Sequence, residues 1–184
     1  MAGRRGPVIA VSGPPGSGKT TYAKRLAEDL GLEFYSAGGF FRELARRRGL
    51  TLLELNRLAA TDPSIDLEID RMTYEVGLKG GAVIEGHLVA WILRDVADVK
   101  IYVTAPLEVR VRRIAARDGV PVNVALRETL ERERLHRLRF LDYYGVDISD
   151  LSIFDLVIDT SKLGIEETYL VIRSFVEKVL SRSG

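Results

Sequence analysis

Apolar residues in this chain fall into short continuous runs, and the stretches between those runs carry them at spacings of three and four. Val8–Ser12, Phe34–Ser36, Ala82–Glu85, Lys100–Thr104 and Leu156–Asp159 are apolar without clean alternation, the pattern of strands covered on both faces. Helical stretches separate them, beginning with Thr21–Leu30, so the chain predicts βαβ crossovers and a parallel sheet of about five strands flanked by helices. Ile165, Thr168/Tyr169, Ile172, Phe175/Val176 and Val179/Leu180 mark an amphipathic closing helix.

Two helical stretches exceed this minimal alternation. Residues 37–80 hold a capping-box start at Thr51-Leu52-Leu53-Glu54 and an N-cap with proline at N1, Asp62-Pro63. The second runs from about Val122 to Tyr144 and carries Arg127, Arg132, Arg134, Arg137 and Arg139. No repeat or long linker divides the chain. The expectation is one unit over 1–184 with two helical insertions covering its sites, at about 37–80 and about 118–144.

The first connection carries the chemistry. Gly13-Pro14-Pro15-Gly16-Ser17-Gly18-Lys19-Thr20 is a complete G-x-x-x-x-G-K-[ST] loop between a strand and a helix. Such a loop offers unpaired N–H groups and the positive end of a helix dipole to phosphate. Lys19 can reach the β/γ-phosphates of a nucleoside triphosphate, and Thr20 can offer its hydroxyl to Mg²⁺. Glu85, ending the third strand, resembles a Walker-B carboxylate that could hold Mg²⁺ through water; a packing role is the alternative. No Asn/Thr-Lys-x-Asp guanine-reading signature is present, which disfavours a GTPase.

Composition narrows the partners. Net charge is +1 and charged residues make up 29%, so nothing global draws the chain to nucleic acid or an anionic membrane. There is no cysteine, which excludes disulfides and thiolate chemistry. The longest apolar stretch, Leu88–Leu93, is too short to span a bilayer, and Met1–Pro7 is no secretory leader. The expectation is a cytoplasmic monomer or weak oligomer working on small molecules.

Ser36-Ala37-Gly38-Gly39-Phe40-Phe41-Arg42 continues the second strand into a helix, where Ser36 and Arg42 can hold an acceptor phosphate; an N-cap serine and a solvated arginine are the bland alternative. Together with the phosphate loop through Thr21, Glu85-Gly86, Ala105-Pro106-Leu107-Glu108-Val109-Arg110, Tyr144–Ile148 and Asp150–Thr160, this segment resembles the short cytidylate kinases of archaea, within the nucleoside monophosphate kinases. The resemblance spans Val8 to about Thr160 and implies a three-layer P-loop kinase fold. It also implies transfer of phosphoryl from ATP to CMP, and to dCMP, with Mg²⁺. A kinase of UMP or AMP, or a nucleotide-dependent RNA- or ribosome-associated switch, stays open beside it.

The same resemblance distributes roles. Gly13 to Thr21 would hold ATP, Arg113 would stack on adenine, and Arg117 would reach phosphate. The Asp159-Thr160-Ser161-Lys162 turn would cup the base. Ser36, Arg42 and Gly86 would hold the monophosphate. Arg132 and Arg139 would close over the transferring phosphoryl. Asp66, Asp70 and Arg71 share one helix face that could read the cytosine or ribose, or be a solvated ion-pair face. Two positions depart from the family. His87 stands where an arginine usually holds the monophosphate, and His136 where an acidic residue is usual. If His87 replaces that arginine, it would bind phosphate best as imidazolium.

Overall fold

A computed structural model describes residues 6–182, apart from the side chains of residues 52, 53 and 56. Five strands form the sheet: β1 (Val8–Ser12), β2 (Glu33–Ser36), β3 (Ala82–Glu85), β4 (Val99–Thr104) and β5 (Leu156–Asp159). All pairings are parallel, in the order β2-β3-β1-β4-β5. The helices are α1 (Lys19–Leu30), α2 (Ala37–Arg47), α3 (Leu52–Ala59), α4 (Pro63–Lys79), α5 (Val89–Ile92), α6 (Leu107–Asp118), α7 (Val122–Tyr144) and α8 (Ile165–Leu180). The strand boundaries fall within one residue of those the sequence predicts. Helix α1 begins two residues earlier than its apolar pattern, because Gly18 takes a left-handed conformation that turns Lys19 and Thr20 into the first helical turn.

Strand β1 divides the core by simple alternation. Ile9 and Val11 enter a cluster with Tyr22, Ala23 and Leu26 of α1 and Tyr169, Ile172 and Val176 of α8. Val8 and Ala10 face the other way, against Ile84, Val89 and Leu93. Both faces of the strand are covered, which is why its sequence shows no polar alternation. A separate cluster of Leu44, Ala45, Leu55, Ile65 and Ile69 ties α2, α3 and α4 into one block. The capping box forms as written: Glu54 N donates to Thr51 Oγ1 at 3.2 Å and Thr51 N to Glu54 Oε2 at 2.7 Å. Asp62 caps α4 through Ser64 N. One expected core position of α8 fails: Ile165, the first residue of the helix, is 61% exposed, and burial begins a turn later at Thr168 and Tyr169. No helix among the described residues is long and apolar enough to cross a membrane.

Crossing from β3 over β1 to reach β4 reverses the direction in which strands are added. The carboxyl ends of β1, β3 and β4 diverge there, as open α/β sheets do where they bind ligands. The phosphate loop leaves β1 at this point.

Candidate active site

A cleft of about 800 Å³ opens at the carboxyl edge of the sheet, walled by the phosphate loop, α2, α4, α6 and α7. The loop can sit there only because of two glycines. A Cβ on Gly13 (φ +154°) would stand 2.1 Å from the carbonyl oxygen of Val103, and one on Gly16 (φ +77°) 2.6 Å from that of Arg110. Pro15, Gly16, Gly18, Lys19, Thr20 and Thr21 line the cleft; Gly13 and Pro14 face a smaller cavity of about 500 Å³ behind it. Ser17 is buried and its Oγ has no hydrogen-bond partner among the described residues. Lys19 Nζ reaches the Pro14 carbonyl at 3.4 Å. Its pKa is lowered to about 8, chiefly by desolvation; Glu85 opposes this, and Arg132, Arg117 and Arg110 add to it. An amine held as a cation in such surroundings gains from an arriving anion.

Register places Glu85 beside Val11 of β1 and Ser36 of β2. Its Oε1 accepts from Thr20 Oγ1 at 3.2 Å. A hydroxyl and a carboxylate side by side next to Lys19 are hard oxygen donors of the kind Mg²⁺ takes. These two residues therefore fit the ion.

On the acceptor side the second strand delivers a different residue from the one expected. Ser36 caps α2, its Oγ accepting from Gly39 N at 2.8 Å, and does not line the cleft. A serine at a strand-to-helix junction satisfies an orphan helix N–H first. Ala37, Gly38, Phe41 and Arg42 line the cleft instead, and Arg42 makes no hydrogen bond or ion pair among the described residues. Gly86 lies in the cleft wall against the first residue of α2, where a Cβ would meet that of Ala37 at 2.8 Å. Arg71, by contrast, lies on the outer surface, paired with Glu75 and absent from the lining.

Helix α7 closes the opposite side with Arg132, His136, Arg139 and Phe140. Arg132 makes no hydrogen bond or ion pair among the described residues, and desolvation with the nearby Arg117 lowers its pKa. Arg139 is engaged: its Nη2 lies 2.8 Å from Asp66 of α4. Both oxygens of Asp66 lie 2.8 Å from that nitrogen, the hydrogen bond going to Oδ1, and Arg139 Nε is buried with no hydrogen-bond partner among the described residues. One turn along α4, Asp70 accepts from Tyr144 Oη. Desolvation raises the pKa of Asp70 to about 6; the Tyr144 bond and Arg139 oppose that rise, and Asp66 adds to it.

The two histidines, 49 residues apart, meet with their Nδ1 atoms 2.9 Å apart, and His136 stacks on Phe140 with ring centroids 5.5 Å apart. Burial pushes both pKa values down, His136 to about 3, with Lys19 and Arg132 reinforcing the shift. A bond between two Nδ1 atoms needs one donor and one acceptor, so the two rings cannot both be charged, and burial favours the neutral form of each. His87 lines the cleft as expected, and without a bound phosphate its surroundings favour the uncharged ring, whose Nε2 is buried with no hydrogen-bond partner among the described residues.

On the donor side Arg113 and Arg117 both line the cleft. Arg113 donates to Thr160 Oγ1 at 2.8 Å and to its carbonyl at 3.0 Å, and lies 3.4 Å from Gly16 O. Arg117 pairs with Asp118. Ser161 turns back on Asp159 at 2.8 Å and Lys162 is exposed; neither lines the cleft. The sequence pointed to His136 but not to Phe140 as a cleft residue, nor to the bond that Tyr144 makes to Asp70 in the cleft wall. A signal did exist for Tyr144, since it ends the same helix that carries Arg132 and Arg139.

Phosphate loop, unpaired cations on two sides and a pair of hard oxygens between them make a site for moving a phosphoryl group between two bound molecules. Comparison with known proteins agrees. The profile of the cytidylate kinase-like family matches residues 8–162. A cytidylate kinase of Staphylothermus marinus is 60% identical over 94% of this chain and 98% of its own. One of Aeropyrum pernix is 62% identical over 88% and 94%. In three dimensions the chain superposes on a shikimate kinase from Acinetobacter baumannii with a TM-score of 0.61 at 21% identity, covering 97% of this chain and 96% of that one, a likeness of fold. The P-loop kinase architecture expected from the sequence is thus found, and the chain belongs to the cytidylate kinase-like family.

Proposed function

We propose that this protein transfers the γ-phosphoryl group of ATP to CMP, and to dCMP, releasing ADP and the cytidine diphosphate. An oxygen of the CMP phosphate attacks the γ-phosphorus in line, and the bond to the β,γ-bridging oxygen breaks with its electrons leaving on ADP. That acceptor oxygen is already ionised at neutral pH, so the site needs no general base. The observation that carries the acceptor's identity is the Asp66–Arg139 pair, which sets a carboxylate acceptor and a guanidinium donor side by side in the cleft lining. The cytosine edge presents an amino donor at N4 beside an acceptor at N3, complementary to such a pair. Uracil presents an acceptor at O4 and a donor at N3, the reverse order, and would leave both protein atoms unsatisfied. The family's cytidylate kinases support the same base.

Residue roles follow. Lys19 and the loop amides hold the β/γ-phosphates, Arg113 and Arg117 flank the donor, and Arg42 holds the acceptor phosphate. Helices α2 to α4 serve as the acceptor-binding insertion and α7 as a lid. Arg132 supplies charge to the transferring phosphoryl when the lid is down, while Arg139, expected from the sequence to join it, holds Asp66 for base reading. His87 presents Nε2 to the acceptor side as a neutral group. Mg²⁺, held by Thr20 and Glu85, would neutralise charge on the β- and γ-phosphates when bound. The protein would act in the cytoplasm, on small molecules, as a monomer or weak oligomer.

A panel of nucleoside monophosphates with Mg-ATP, followed by ADP release, tests this reading. CMP is expected to give the highest kcat/KM, dCMP to be used, and UMP to be weaker. AMP or UMP outpacing CMP at subsaturating concentration would overturn the assignment.

A further inference from the structure

Arg110 stands outside the roles above, yet it is one of the most deeply placed charges in the molecule, with 7% of its surface exposed. Three elements meet on it. Its Nε donates to the carbonyl of Ala105, where β4 turns into α6, at 2.9 Å. Its Nη1 donates to the carbonyl of Pro15 in the phosphate loop at 3.1 Å. The same Nη1 donates to Glu133, which projects from α7, the lid helix. The loop is pressed flat against this turn, since a Cβ on Gly16 would stand 2.6 Å from the Arg110 carbonyl oxygen and 3.0 Å from its Cβ.

The Pro15 bond has a directional consequence. A trans peptide holds its C=O and N–H antiparallel. Fixing the Pro15 carbonyl on Arg110 therefore aims the Gly16 N–H the opposite way, toward the cleft that Pro15 and Gly16 line. The guanidinium in turn needs an anion, because a buried cation with only carbonyl partners is costly. Glu133 is that anion, and it reaches Arg110 only when α7 lies where it does here.

We infer that Arg110 is a positioning residue that couples the lid to the phosphate loop: Glu133, docked on it, secures the Pro15 carbonyl and with it the aim of the Gly16 amide at the donor phosphate. The inference rests on the kinase reading only for the identity of the anion in the loop. Linkage makes the effect reciprocal, so a triphosphate in the loop favours the lowered lid before any acceptor arrives. Neither side chain touches the nucleotide in this scheme.

The test is a double-mutant cycle on ATP affinity, measured by calorimetry without acceptor, with Glu133→Ala, Arg110→Lys and the pair. Lysine keeps the charge but cannot fork to three acceptors. Each single variant is expected to weaken ATP binding by about fivefold or more, the lower range of ordinary coupling. The double variant should be no weaker than the worse single, since both break one chain of contacts. Binary CMP affinity should hold, and Glu133→Gln, which keeps a carbonyl acceptor, should recover part of the loss. Should Arg110→Lys not fold, Glu133→Ala and Glu133→Gln alone decide. Additive losses, or a Glu133→Ala protein that binds ATP like the wild type, would overturn the coupling. A fall in thermal stability with ATP affinity unchanged would make Arg110 a structural strut only. Loss of CMP preference in the monophosphate panel would sink the kinase reading and leave this cycle untouched.

Discussion

Lys19 shows how much of this site is decided by the surroundings of one atom. Burial and three neighbouring arginines bring its pKa down from 10.5 to about 8. Between those values the unfolded chain holds more proton on this amine than the folded one, so its contribution to stability improves as pH rises through that window. Below about pH 8 the folded protein carries the confined charge, which a bound phosphate then offsets. Lys19→Ala is expected to lower turnover by about 10²–10³-fold without loss of fold. It should also remove an upward component from the wild-type curve of Tm against pH between 8 and 10.5. A mutant with normal turnover, or an unchanged difference between the two curves, would separate Lys19 from the mechanism. His87 teaches the opposite lesson. One residue in a sequence does not reveal that its ring will bond another histidine 49 positions away, so that contact was beyond reach until the fold was known.

At the scale of elements, strands and caps were legible because each depends on a few adjacent residues. The Thr51/Glu54 box and the Asp62-Pro63 start form as their spacing requires. Ser36 was harder, because capping a helix and holding a phosphate ask for the same hydroxyl in the same place. In the structure the hydroxyl accepts the cap bond from Gly39 N, so Ser36→Ala should cost about 1 kcal/mol in stability. Helix α7 is where local pattern said least. Its apolar residues spread round the helix, with Leu130, Leu138 and Leu141 exposed and Ala125, Thr129 and Phe140 buried. Its arginines could therefore not be sorted into site and surface by periodicity. Arg132 and Arg139 turn out to face the cleft with different company, one without an ion-pair partner among the described residues and one held by Asp66. Arg132→Ala is accordingly expected to lower kcat by about 10²-fold or more while leaving binary ATP affinity close to wild type. Retained kcat with a lowered Tm would make it a structural residue.

The whole molecule carries a net charge of only +1, but its cations are gathered. Lys19, Arg42, Arg113, Arg117, Arg132 and Arg139 share one cleft against Asp66, Asp70 and Glu85. An empty cleft of this kind is a store of repulsion, and a nucleotide should stabilise the entire chain. At about 100 times its Kd, ADP adds about 2.7 kcal/mol. For a chain of this size that corresponds to a rise in Tm of roughly 5–10 °C, read by calorimetry. Lys19→Ala should lose most of that rise, whereas an equal rise in the variant would place the anion elsewhere.

The hydrogen bond between Thr160 and the carbonyl of Ser17 joins residues 143 apart, and Arg113 donates to the same hydroxyl. The loop that names this chain lies near its start, but its last support arrives near its end. During synthesis the amino-terminal segment therefore leaves the ribosome with its phosphate-binding sequence complete and its cradle unfinished. Strands β3 and β4 must emerge and flank β1, and β5 must follow, before the loop is held from behind. A nascent chain halted before Thr160 thus lacks this support, and its loop is less prepared for nucleotide than that of a chain carried past it.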